Sequence, residues 1–202
     1  MSDPHIPPAE DHSVLPVESP LGVPRAAGAL GRVIERFGFI FAAGIVVAAV
    51  MLLMEVFLRY VLNRPTIWAH ETSTFLCALA FLYGGLYVAA RDTHIRVVLI
   101  YEMLPPAARR GLDIFIAASS ALASAFFAWA AWMMVAKSVW APSGEVRFER
   151  SGSAWNPAIP AWTKIFLFVV LIVMTLQFAV FAWNHLRRPV AQTGAARTGG
   201  EA

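Results

Sequence analysis

Four stretches of this chain, residues 37–54, 72–90, 114–136 and 165–184, contain no Asp, Glu, Lys, Arg or His. As a helix at about 1.5 Å per residue, each crosses roughly 30 Å of hydrocarbon. For a chain of 202 residues the composition agrees: 58% of residues are hydrophobic and the mean hydropathy of +0.62 is well above that of a water-soluble domain of this size. The pattern predicts an all-α integral membrane protein. Four transmembrane helices are expected at about 37–57, 67–90, 112–138 and 163–185, within a single membrane domain over 31–188.

The segments around the spans are read from their composition. Six prolines fall within the first 24 residues, so 1–30 is expected to be a disordered N-terminal tail, and 189–202 a C-terminal one. The first apolar run is longer than a signal peptide's core and leads into EVFLRY instead of a small-residue cleavage site; it is expected to remain as an anchor. Between spans two and three, HIRVVLIYEMLPP mixes apolar residues with Arg96 and Glu102, and it is too short and charged to cross. An interfacial helix ended by Pro105 and Pro106 is expected there. Residues 142–164, with dispersed Ser, Gly and Pro, read as a short outer loop.

The net charge of +3 does not point to nucleic acid, because the basic residues flank the apolar runs and form no patch. With four spans both termini share a side, which with the 91–110 connection holds ten Lys and Arg against six opposite. The positive-inside rule therefore predicts cytoplasmic termini. Trp68, Trp140 and Trp162 then lie at the outer interface and Trp183 at the inner one. In span three, Ala117, Ala121 and Ala125, beside Ser120, Ser124 and Ala128, form small-residue stripes suited to close helix packing, and Gly84-Gly85 reads as another close contact.

No catalytic, metal or cofactor site is expected. His70 and His94 bracket span two, 24 residues apart, which is roughly 36 Å along a helix. His70-Glu71 lacks the spacing that sets two imidazoles on one helix face. The lone Cys77 lies inside span two and allows no disulfide framework. A small redox or metal-dependent membrane enzyme using His70, Glu71 and His94, or a self-associating four-helix protein, remain as alternative readings.

The other polar cluster lies in FLRYVLNRPTIWAHE and just before it. Glu55 and Arg59 are at i and i+4, where carboxylate and guanidinium can pair. Spacing alone leaves two readings open, an interfacial ion pair with snorkelling arginines or a surface addressed to another protein.

The sequence resembles the small permease subunit (Q-type) of tripartite ATP-independent periplasmic (TRAP) transporters, from about residue 35 to 184. The matching positions are Arg59, Tyr60, Asn63, Arg64, Pro65, Trp68 and Glu71 before span two, Gly84 within it, and Arg91, His94, Ile95, Arg96 and Val97 after it. AIPAW, containing Pro160 and Trp162, leads into span four with Gln177 and also resembles the family. His70 departs from the family's usual acid, and Val98 from an aspartate that often follows.

The resemblance implies a small subunit that holds a large permease in the bacterial inner membrane. A periplasmic substrate-binding protein would deliver the substrate, and an ion gradient, usually sodium, would drive uptake. The expected substrate is an organic anion, a carboxylate such as a C4-dicarboxylate or a sugar acid. The expected contacts with the large permease are Glu55, Arg59, Tyr60, Asn63, Arg64, Pro65, Trp68, Glu71, Gly84, Arg91, His94, Arg96, Pro160 and Trp162. The other partner is membrane lipid.

Overall fold

The computed structural model describes residues 27–91 and 105–187. The two tails, the interfacial helix expected between spans two and three, and with it His94 and Arg96, lie wholly or largely outside the described residues. Among the described residues there are four helices: α1 (Gly28–Tyr60), α2 (Ile67–Ala90), α3 (Pro106–Val139) and α4 (Ile159–Arg187). All four are long and apolar enough to cross a membrane, and no β-strand occurs among the described residues. Except for α2, each helix runs past its charge-free core at both ends; α1 begins inside the segment assigned to the N-terminal tail.

The helices pack as two hairpins, α1 on α2 and α3 on α4, joined where α2 meets α4. Since lipid tails are as apolar as the side chains, hydrophobicity alone does not hold such helices together; close packing and polar links must. On α3 the buried line runs Ala117, Ser124, Ala128, Ala131, Val135 and Ser138, with Ala121 half-buried in the same row. This alternation of four- and three-residue steps is the seam of a left-handed helix pair. It corrects the stripe expected from sequence, in which Ala125 was a packing residue; Ala125 is exposed.

Where α1, α2 and α4 converge, Ile34, Tyr83, Leu86, Ala90 and Val170 form one core cluster. Tyr83 satisfies its hydroxyl by donating to the Ile34 carbonyl, and its ring stacks on Phe41 at 4.0 Å. Deeper toward the terminal ends, fully buried Gln177 donates from Nε2 to the Ala27 carbonyl at 3.2 Å and anchors the start of α1 to α4. Arg110 on α3 donates to the carbonyls of His185 (3.1 Å) and Leu186 (2.7 Å), satisfying acceptors that the end of α4 leaves open.

Within this chain the glycine pair makes no close helix contact. A Cβ at Gly84 or Gly85 would meet nothing within 4 Å, so neither supports a close helix contact inside this chain. The close approach is at Gly38, where a Cβ would lie 3.0 Å from the Tyr87 ring. Gly38→Val should therefore displace Tyr87 and, with it, the 2.8 Å bond from Arg91 Nη1 to the Tyr87 hydroxyl. The expected loss is about 1–3 kcal/mol, as for other overpacked sites, read as a lower melting midpoint in detergent, with Gly84→Val unchanged as the control.

Candidate functional site

The charged turn between α1 and α2 is built around one carboxylate. α1 ends after Tyr60, Asn63 takes a left-handed backbone (φ 52°), and the Arg64 N–H donates to the Leu58 carbonyl at 3.0 Å. Asparagine is among the few non-glycine residues that adopt this conformation readily. Glu55 is 4% exposed. Its Oε1 accepts from Arg59 Nη2 at 2.7 Å and Nε at 3.2 Å, and its Oε2 accepts from the Thr66 N–H at 3.0 Å and from the Thr66 hydroxyl.

Thr66 immediately precedes α2 and makes no side-chain cap of its own. Its hydroxyl is engaged by Glu55 instead, so a carboxylate near the end of one helix fixes the residue that leads into the next. Pro65 lies between the helices and belongs to neither.

Around this lock the residues expected at the interface face outward. Tyr60 is 80% exposed; Arg59, Asn63, Arg64, Pro65 and Trp68 are exposed as well. Among the described residues Arg64 enters no ion pair, so its charge is uncompensated on the turn. The His70 ring is exposed, while its carbonyl accepts from Ser73 and Thr74 hydroxyls, each at 2.9 Å. Pro65, Thr66, Ile67 and Trp68 share a shallow depression with Ala154 and Trp155 of the α3–α4 connection.

Glu71 lies one turn further along α2, half-buried, with Oε1 3.5 Å from the Ser151 hydroxyl and Oε2 buried without a hydrogen-bond partner among the described residues. Not all the expected residues converge. Arg91 is twenty residues beyond Glu71, roughly 30 Å along the helix, and Gly84 lines an apolar groove between α1 and α2 with Gly38, Phe41 and Tyr83. Pro160 and Trp162 open α4, where the Trp162 ring stacks on Phe148 at 5.8 Å. Among the described residues no group of three or more His, Cys, Asp and Glu could hold a metal.

Sequence reading missed a second polar knot. Buried Ser138 at the end of α3 donates to Glu149 Oε2 at 2.6 Å, and the same oxygen pairs with Lys164 of α4. Lys164 first, and then Ser138, hold the Glu149 carboxyl below the usual carboxylate range. A depressed folded-state pKa contributes stability above the unfolded value, about 4.3 for glutamate, and that contribution disappears as pH falls through the folded value. The melting midpoint should thus drop more steeply below about pH 4.3 in the native chain than in Glu149→Gln; parallel profiles would show that the knot adds nothing.

Four apolar helices and a charged turn locked at one membrane face define a multi-pass membrane protein. Residues 48–188 match the family described as tripartite ATP-independent periplasmic transporters, DctQ component, and the chain belongs to that family. It is an inner-membrane transporter component. The chain is also similar to the ectoine TRAP transporter small permease protein TeaB of Halomonas elongata, with 28% identity over 106 residues. That match covers 52% of this chain and 55% of the relative, so the chain spans about half the relative's length. No solved structure matches the chain.

Proposed function

We propose that this chain is the membrane scaffold of its transporter. It would hold the large permease through α1, α2 and the locked turn while a periplasmic binding protein delivers the substrate. Family membership over residues 48–188 carries this reading. The fold supports it: α1 has the second-highest hydropathy of the four spans, within a narrow margin, yet buries only Gly31, Ile34, Ala48 and Glu55 against its own chain. Its remaining surface is open to lipid or to a partner helix. The exposed Arg64, Tyr60 and Trp68 would form the polar and aromatic edge of that contact.

In this reading both termini are cytoplasmic, the chain performs no catalytic step, and the transport site belongs to the large subunit. The substrate is a carboxylate such as a C4-dicarboxylate or a sugar acid, with ectoine, named for the relative, as a second candidate. An ion gradient, sodium first among the candidates, drives uptake. Substrate uptake by cells expressing the binding protein and large permease should require this chain and collapse when the sodium gradient is dissipated. Undiminished uptake without the chain would refute the scaffold role, and sodium-independent uptake would refute the coupling.

A further inference from the structure

The second polar knot borders a cleft that the scaffold role does not use. About 500 Å³ in volume, it lies at the α3–α4 turn, and its lining includes Lys137, Arg147, Arg150 and Asn156 together with Ser138 and Glu149 of the knot. We propose that this cleft binds a phosphate-bearing anion at the membrane surface, with the headgroup of an anionic lipid as the expected occupant.

The charge balance points there. Glu149, the one carboxylate lining the cleft, is already engaged by Ser138 and Lys164. Glu145, the other acid of the connection, is exposed and does not line it. Lys137 and Arg147 enter no ion pair among the described residues, and Arg150 spends one donor on the Asn156 carbonyl at 3.0 Å, leaving the rest of its guanidinium free of carboxylates. The cleft thus gathers three cations around a single neutralised acid. Guanidinium and ammonium groups held together suit phosphate oxygens, which accept charge-assisted bonds from both.

The walls are also fixed in advance. The Arg147 N–H donates to the Val139 carbonyl and the Glu149 N–H to the Ser138 carbonyl, both at 2.8 Å, folding the connection back over the end of α3. Asn156, itself in a left-handed backbone (φ 49°), accepts the Gly152 N–H on Oδ1 at 3.2 Å.

Position decides between a lipid and a soluble occupant. Trp140 follows the last residue of α3 and Trp162 lies in the first turn of α4, stacked against Phe148 of the cleft wall. Tryptophans at helix ends sit at headgroup depth, so the cations beside them face the phosphate layer whichever side of the membrane this end occupies.

The full-length protein in mild detergent can be titrated with short-chain phosphatidylglycerol, short-chain phosphatidylcholine and inorganic phosphate, following Trp fluorescence and the melting midpoint. Saturable binding of phosphatidylglycerol is expected, roughly tenfold weaker for Lys137→Gln/Arg147→Gln and restored by Lys137→Arg/Arg147→Lys. Saturation by inorganic phosphate with the same residue dependence, without a lipid response, would keep the anion site and make its occupant a soluble ion. Equal affinity in native and double-Gln proteins, or no saturable response to any of the three, would overturn the proposal. Should the double variant melt early, Arg147→Gln alone gives the same reading, since its side chain makes no hydrogen bond or ion pair among the described residues.

Discussion

Glu55→Ala should lower the melting midpoint of the detergent-solubilised chain by roughly 5 °C or more and loosen the α1–α2 hairpin. The substitution removes the acceptor for the Thr66 N–H, the Thr66 hydroxyl and Arg59 at once. What remains is an uncapped helix start and a guanidinium without its counter-charge at the membrane face. Glu55→Gln keeps an oxygen for Thr66 but loses the charge and the acceptor for Arg59, so its effect should fall between native and Ala. An unchanged midpoint in Glu55→Ala would mean that the turn is held by packing alone.

Arg64→Glu should have the opposite profile, with a normal melting midpoint and at least about a tenfold loss of association with the large permease, as for a truncated interface anchor. Arg64 is exposed and enters no ion pair among the described residues, so reversing its charge leaves this chain's own contacts intact. Arg59 is a poorer probe. Its guanidinium is bound to Glu55, and Arg59→Glu would set two carboxylates against each other within the fold. Equal losses of stability and association in Arg64→Glu would leave the turn with only a structural role.

The helices were readable because lipid imposes a simple requirement: about 18 residues without charge, repeated four times, leave no other solution. The Glu55–Arg59 pair was readable too, since i and i+4 always share a helix face. Thr66 was not, because its partner is eleven residues back in the preceding helix and the turn geometry decides the encounter. For the same reason Glu149 gave no signal. Ser138 and Lys164 reach it from the ends of two helices that meet only through the α3–α4 fold.

Helix faces were the weaker part of the reading. Small residues are so frequent in span three that several stripes fit, and only packing against α4 selects the line through Ser124 and Ala131 over one through Ala125. Inside this chain the close approach is likewise elsewhere than at Gly84 and Gly85: the neighbouring ring approaches Gly38. Of the residues expected at the interface, Asn63, Arg64, Pro65 and Trp68 do lie close together around the α1–α2 turn, whereas Gly84 and Arg91 lie far along α2.

The central claim is that this chain and the large permease form one membrane unit. Its most direct test is co-expression of the two, with an affinity tag on the large permease alone, followed by purification in mild detergent and size-exclusion chromatography. The account predicts co-elution at a fixed ratio, diminished by Arg64→Glu. A large permease that purifies without this chain, while the chain elutes by itself as a folded protein, would contradict it.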